Sequence, residues 1–497
     1  MTVSSSTKIV IIIVFILYTI GMLMIGWLYK RKLEKNSTNQ YVENFYTGGR
    51  AMGPLLVAMM VAAGICSAGT FVGSPGSIYK VGLSWAAVLP GQMLMNLMVL
   101  GVIGKKIAIV SRRANLQSFV GLLYNRYNGN KILAIIAAAI VLVFVGSYTS
   151  SQFIGGGRLF EVMTGLPYWV GLAAFTAVVI IIAAFSGLQG VAAATVVQGC
   201  IMTFACFLLL FLGFGYCGGE SAFHAIASEN PDLVSGNAVY SPLMMLSYFM
   251  TFGFLNAGYP HATIGCMTYK NTRSMNTAIK IGIVLVAFWS ISLSLLAGVI
   301  RNAFPDLAVS DYALPTLAVT ALPSWVSGLT LAGVVGALQS TVGTMVIVMS
   351  ASVVKDIYQT IIKPDAAPKT MKNLTNAATI VITLSIFVLA LTPPDNLQDI
   401  VVYAVGGMVS AFYIPLILGI YWMRANEWGA LAGMAGGLLV YLLNGAGIVD
   451  WSMGMQPIVI GTLVSLALTV AVSCLTPKTP YGTIKTWFGR TYPQSPD

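Results

Sequence analysis

Charge is what this sequence has least of. Lys, Arg, Asp and Glu together make up 8% of its 497 residues, against 57% hydrophobic residues. A water-soluble domain of that length needs far more polar surface, so the composition predicts an all-α polytopic membrane protein. Histidine is nearly absent, and of the two present only His261 falls close to the interior of an apolar run. Cysteine is sparse as well: six, scattered, without a CxxC pair. Cys66, Cys200 and Cys206 lie in apolar runs and only Cys217 in a segment placed outside, which implies neither a disulfide framework nor a metal site. Carboxylates are missing from the middle of every apolar run, so a proton relay of buried acids has nothing to run on. With no nucleophile–base pair, metal cluster or cofactor motif, the chain reads as a non-enzyme that needs no cofactor.

What is present in quantity is apolar sequence of crossing length. At about 20 residues per crossing, thirteen spans are predicted. They lie near 9–29, 54–79, 84–104, 132–157, 166–185, 190–216, 241–262, 277–300, 326–354, 374–392, 398–422, 428–446 and 456–475. The first ends in Lys30, Arg31 and Lys32 and is long enough to cross, so it reads as a retained helix and not as a cleaved signal. The net charge of +11 does not point to nucleic acid, because the basic residues decorate loops. Lys30, Arg31, Lys32, Lys35 and Arg50 follow the first span, and Lys105, Lys106, Arg112, Arg113, Arg126 and Lys131 the third. Lys270, Arg273 and Lys280 follow the seventh; Lys355, Lys363, Lys369 and Lys372 the ninth; Arg424 the eleventh; Lys478, Lys485 and Arg490 the last. That puts 22 of 26 basic residues on one side, leaving Lys8, Lys80, Arg158 and Arg301 for the other. The positive-inside rule then predicts an outer amino terminus and a cytoplasmic carboxyl terminus. Glu220, Glu229, Asp232, Asp306, Asp311, Asp395, Asp399 and Asp450 fall in loops on the outer side.

One apolar stretch carries a row of hydroxyls: GVVGALQSTVGTMVIVMSASVVKD, from Gly333 to Asp356. At about 100° per residue, Ala337, Ser340, Thr341 and Thr344 share a helix face. A hydroxyl turned to lipid without a partner costs free energy, so this face looks at protein, water or a ligand. No carboxylate occurs before Asp356, so a cation held here is a hard monovalent ion on neutral oxygens, sodium being the natural candidate. The competing reading is that the hydroxyls bond the carbonyl one turn back, or pack as small residues between helices.

Two spans make poor helices. The second holds Gly64, Ser67, Gly69 and Thr70, then Gly73-Ser74-Pro75-Gly76; the seventh holds Gly253, Asn256, Gly258 and Pro260 before His261. Irregular backbone at membrane depth survives only where it lines a cavity or is buried in protein. The two are five spans apart, so spans 2–6 and 7–11 are candidates for inverted repeats, each led by a broken helix at a midplane site. Tight glycine packing is the alternative for either span alone.

The stretches NFYTGGRAMGPLLVAMMVAAGICSAGTFVGSPGSIYKVGL, FVGSYTSSQFIGGGRLFEVMTGLPY, FSGLQGVAAATVVQG, NAGYPHATIGCMTYK and ALQSTVGTMVIVMSASVVKDIYQ resemble the sodium/solute symporter family. The likeness runs through nearly the whole chain in order. It is greatest to the pantothenate permease branch, in VGLSW, GKKIAIVSRRAN, QFIGGGRL, LPTLAV and VVKDIY.

The resemblance implies a single transport domain over 1–497 with a LeuT-type 5+5 core. It divides into a leading helix and loop (1–50), two five-helix repeats (51–220 and 240–425), and two trailing helices with a cytoplasmic tail (426–497). It also implies a sodium site: carbonyls of Ala63 and Cys66 from the broken second span, the Ala337 carbonyl, and the hydroxyls of Ser340 and Thr341. The sequence departs from the family pattern at Ile65, Thr195, Gly265 and Val342-Gly343-Thr344, each a loss of charge or oxygen that puts a second sodium site in doubt.

Solute-binding candidates are polar groups facing the same cavity: Ser67, Thr70, Gln92, Ser151, Gln152, Asn256 and Tyr259, with Ser147 and Thr149 beside them. Thr70, Gln92, Gln152 and Asn256 are expected around one pocket, and Arg158 near the outer end as a structural or vestibular residue. The function implied is sodium-coupled symport of a small organic solute, pantothenate or another monocarboxylate, across the plasma membrane. Proline-like amino acid or sugar symport is the alternative, as is a non-transporting sensor, against which stands the lack of a signalling domain after span thirteen. The partners are solute, sodium and lipid, with no nucleic acid; the oligomeric state is left open, a monomer included.

Overall fold

Backbone polar groups cannot stay unpaired in lipid, so a chain this apolar satisfies them inside helices. The computed structural model describes residues 5–35, 38–236, 239–394 and 397–489. Asp395, Arg490 and the Ile65 side chain lie outside what is described. Among the described residues ten helices are long and apolar enough to cross a membrane. Two shorter apolar helices, Pro54–Gly64 and Pro242–Phe252, each begin a segment that breaks.

Two of the ten run across two predicted spans each. Tyr168–Tyr216 runs for 49 residues where spans 166–185 and 190–216 are predicted separately. At about 1.5 Å per residue it is more than twice the hydrocarbon thickness, so it has to bend. The bend is at Gly187, with φ 61° and ψ −175°, a region essentially confined to glycine. A Cβ there would come within 3.0 Å of the Phe45 Cα. Gly69–Arg113, 45 residues long, joins the second half of predicted span two to span three through Gly82, at φ 70° and ψ −158°.

The Ser324–Ala351 helix sits at the centre, buried along its most apolar stretch on every side. It packs against Tyr168–Leu208, Ser5–Glu34, Gly146–Thr164 and Pro54–Ile65. Its hydroxyl face is therefore not opposed by a lipid face; protein surrounds all of it. One isolated parallel bridge joins Met52 to Tyr269. The Met52 N–H donates to the Thr268 carbonyl at 3.1 Å and the Lys270 N–H to the Met52 carbonyl at 3.0 Å. This ties the entry of one broken segment to the exit of the other.

Candidate functional site

The Pro54–Ile65 helix ends because Cys66 turns extended, at φ −75° and ψ 91°. The Cys66 N–H still reaches the Ala62 carbonyl at 2.8 Å, and the Ser67 carbonyl accepts from the N–H groups of Thr70 and Phe71. The break thus frees the Ala63 carbonyl from the bond a continuous helix would give it. That oxygen takes two hydroxyls instead: Thr341 Oγ1 donates to it at 2.8 Å and Ser340 Oγ at 3.3 Å. The same hydroxyls reach the Ala337 carbonyl at 3.2 and 2.7 Å. Four neutral oxygens from two elements are gathered here, and all four residues are buried. Hydroxyl protons rotate, so both side chains can turn lone pairs to a shared point. Thr344 looks away, donating to the Ser340 carbonyl at 3.4 Å. No hydrogen bond among the described residues joins the Cys66 carbonyl to the four.

Six of the seven solute candidates fall into two groups. Ser67, Ser151, Gln152 and Tyr259 gather around Tyr148 and His261. Gln152 Oε1 accepts the Ala68 N–H at 2.7 Å, and its Nε2 donates to Ser151 Oγ at 3.0 Å. Ser67 Oγ and the Tyr148 hydroxyl are 3.0 Å apart. The Tyr148 ring meets His261 edge-on at 5.6 Å, and the His261 ring lies 5.5 Å from Tyr259 at 30°. Both His261 nitrogens are buried without a hydrogen-bond partner among the described residues.

Thr70 and Gln92 instead share a small cavity with Ser74, Trp85, Ser290 and Ser294, whose free space of about 10 Å³ admits at most a water. Gln92 Oε1 accepts the Ser290 hydroxyl at 2.8 Å.

Of Thr70, Gln92, Gln152 and Asn256, expected around one pocket, the structure brings the first two into one cavity and the other two to the backbone breaks beside it. Asn256 Nδ2 donates to the carbonyls of Phe252 and Gly253, and its Oδ1 is buried without a partner among the described residues. Broken helices expose backbone groups that the nearest amide must satisfy. Ser147 and Thr149 bond back to Val143 and Val145 on their own helix, the outcome expected of membrane hydroxyls without a ligand.

Sequence reasoning missed Tyr148, His261 and Ser290 as members of these groups. The hydroxyl-rich run around Tyr148 and the i, i+4 pair Ser290–Ser294 are signals that could have found two of them.

Two of the departures from the family pattern, Thr195 and Gly265, are closely surrounded by their neighbours. Thr195 bonds back to the Val191 carbonyl at 2.8 Å. Gln198 Nε2 donates to the Tyr18 hydroxyl at 3.1 Å, which donates to Gln339 Oε1 at 2.9 Å. At Gly265 even a Cβ would come within 2.8 Å of Val61, so an arginine does not fit. Arg158 is buried and pairs with Asp311 while also donating to the Pro394 carbonyl. Asp311 Oδ2 accepts the Leu397 N–H at 3.1 Å. Burial pushes the Asp311 carboxyl up to about 6, against the opposing pull of Arg158. Among the described residues no group of three His, Cys, Asp or Glu is arranged to hold a metal ion.

The profile of the Sodium:solute symporter family matches residues 45–437. The chain is 33% identical over 415 residues to a sodium/pantothenate symporter of Haemophilus influenzae, covering 82% of this chain and 85% of the relative. It is 31% identical over 460 residues to the sodium/pantothenate symporter of Escherichia coli, covering 91% and 95%. An osmoregulated proline transporter of Bacillus subtilis matches at 28% over 477 residues, covering 94% and 95%. Among solved structures, an outward-open sodium-coupled sialic acid symporter superposes with a TM-score of 0.78 at 18% identity, covering 95% and 98%. MhsT in complex with L-phenylalanine gives 0.55 at 15%, covering 84% and 97%. At these identities the superpositions speak for the fold alone. A profile spanning most of the chain, with relatives above 30% identity along it, carries the conclusion: this chain belongs to the sodium:solute symporter family.

Proposed function

We propose that this protein carries a small organic monocarboxylate, pantothenate or a close analogue, inward together with one sodium ion. Membership of the family makes it a sodium-coupled membrane transporter and not an enzyme. The observation that carries the ion site is the meeting of the Ala63 and Ala337 carbonyls with the Ser340 and Thr341 hydroxyls. Neutral oxygens of this kind suit a desolvated monovalent ion, since divalent ions draw on carboxylates. Cys66, whose extended backbone opens the same break, would add its carbonyl as a fifth ligand. For the solute, the donors around Tyr148 and His261 and those at Thr70 and Gln92 are neutral, as befits a carboxylate held without a fixed counter-charge. The pantothenate reading leans on the two relatives above 30% identity.

In this reading the chain crosses the membrane thirteen times. The long helices fold back at Gly82 and Gly187, and Pro54 and Pro242 open two inverted repeats of five. The amino terminus is outside and the carboxyl terminus cytoplasmic, in a plasma membrane. Solute, sodium and lipid are its partners, and one chain contains every group invoked. Alternating access then follows from rocking of one repeat against the other around the two breaks.

The test is uptake into proteoliposomes under an inward sodium gradient, with labelled pantothenate and labelled proline offered separately. Pantothenate accumulation that disappears when potassium replaces sodium is the expected result. Accumulation of proline alone overturns the substrate, and uptake indifferent to sodium overturns the coupling.

A further inference from the structure

At the start of the first helix, Ser5–Glu34, a cavity of about 560 Å³ opens toward the end of the Gly146–Thr164 helix and residues 303–307. It shares no lining residue with the Thr70–Gln92 cavity. Lys8, Glu161 and Asp306 all line it, yet among the described residues no ion pair joins the lysine to either carboxylate. The Lys8 Nζ reaches Gly165, 2.6 Å from where a Cβ there would stand. Glu161 Oε2 accepts the Tyr312 hydroxyl at 2.8 Å, and an ionised carboxylate keeps further lone pairs for a second donor. Asp306 is exposed.

An apolar groove of about 280 Å³ continues from this cavity along the same two helices. Lys8 lines the cavity and Ile12, one turn on, the groove; Gly165 and Thr164 do the same on the other side. Phe15 meets Phe160 edge-on at 5.9 Å in the groove, and Ile16 and Ile20 are exposed along it. From Lys8 to Ile20 the helix advances about 18 Å at about 1.5 Å per residue. That matches one leaflet of a hydrocarbon core about 30 Å thick.

We infer that cavity and groove together bind one membrane phospholipid with a zwitterionic, ethanolamine-type headgroup. A cation and carboxylates that share a cavity without pairing leave room for a ligand carrying both signs. The lipid phosphate accepts from the Lys8 ammonium, and the lipid ammonium donates to Glu161, with Asp306 adding negative charge. Hydrogen bonds between ionised groups are the strong ones. One acyl chain follows the groove between the two helices. A glycerol headgroup brings no positive charge to the carboxylates, and a choline headgroup has no N–H to donate. Seated there, the lipid ties the first helix to the Gly146–Thr164 helix. Neither the transported solute nor the sodium site enters this inference.

The test uses the full-length protein in detergent, stripped of lipid, and native mass spectrometry. The probes are dioleoyl phosphatidylethanolamine, phosphatidylglycerol and phosphatidylcholine. One ethanolamine lipid per chain is expected, held about tenfold more tightly than either of the others. Lys8→Gln and Glu161→Gln should each abolish that preference, whereas Lys8→Arg, which keeps the charge, should retain it. Ala174→Trp, at an exposed position of the groove, should weaken all three lipids. Glycerophosphoethanolamine, the headgroup without chains, should bind at least about a hundredfold more weakly, because buried methylenes supply most of a lipid's affinity. Equal retention of the three lipids, or a preference that survives both glutamine substitutions, overturns the site. Tight binding of the chainless headgroup overturns the lipid as its occupant.

Discussion

Thr341 and Ala63 are 278 positions apart in sequence, and the Thr341 hydroxyl donates to the Ala63 carbonyl across 2.8 Å. A helix break on one element and a hydroxyl on another make one polar point in an apolar interior. In the sodium site proposed above, Thr341→Ala or Ser340→Ala removes one cation ligand. By analogy with hydrogen bonds to charged groups, each loss costs about 1.5–3 kcal/mol, or roughly ten- to a hundredfold in affinity. The sodium concentration for half-maximal uptake should rise by that factor, with a Hill coefficient near one before and after. Solute affinity should move only through linkage. An unchanged sodium curve in both variants would remove these hydroxyls from the ion site.

Gln92 accepts from Ser290 beside Thr70. Gln92→Ala leaves the serine hydroxyl without its partner and enlarges the cavity. The half-saturating solute concentration should rise about tenfold and the ranking of competing carboxylates should change, while the sodium curve keeps its shape. Competition uptake with a panel of carboxylates measures both. Loss of sodium response with an intact solute ranking would place Gln92 in the ion path instead.

Asp311 joins the Gly146–Thr164 helix, through Arg158, to the start of the Leu397–Tyr421 helix. Its folded pKa of about 6 lies above the ordinary carboxyl value. The folded chain therefore takes up this proton more readily than the unfolded one, and acid does not destabilise the fold through this group. What falls below about pH 6 is the charge facing Arg158. Uptake should decline as pH drops from 7.5 to 5, because the pair that ties these two helices together weakens. Asp311→Asn should be slow throughout and flat across that range. A variant that keeps the wild-type pH profile assigns the decline to another group.

Gly187 adopts a backbone that other residues enter at a cost of about 1–3 kcal/mol, and a Cβ there presses on Phe45. Gly187→Ala should lower the thermal midpoint of the detergent-solubilised protein by several degrees and reduce its yield, with Gly82→Ala behaving similarly. A melt identical to wild type would mean that the bend can be relieved elsewhere.

The split of basic residues between loops predicts that a cysteine at Ser221 is labelled by a membrane-impermeant maleimide in intact cells, and one at Lys485 only after lysis. Both positions are exposed in the fold. The reverse pattern would invert the topology.

Much of this was legible before any coordinates. The membrane class, the crossing-length runs and the two broken spans follow from composition and from glycine and proline placement, because lipid permits few backbone solutions. Ser340 and Thr341 were visible from helical spacing alone, and Ala63 came from the family likeness. What the linear pattern could not carry is which amide answers which broken backbone. In sequence Gln152 and Asn256 are polar residues with no visible partner. Tertiary packing brings them to Ala68 and to Phe252 and Gly253, because a broken backbone in a dry interior needs hydrogen-bond partners. The same holds for Tyr148 and His261, ordinary aromatic positions in sequence that meet only when the Gly146–Thr164 helix packs on the segment that restarts at Pro260. Periodicity and composition report what each segment must bury; only the packed fold decides which neighbour satisfies it.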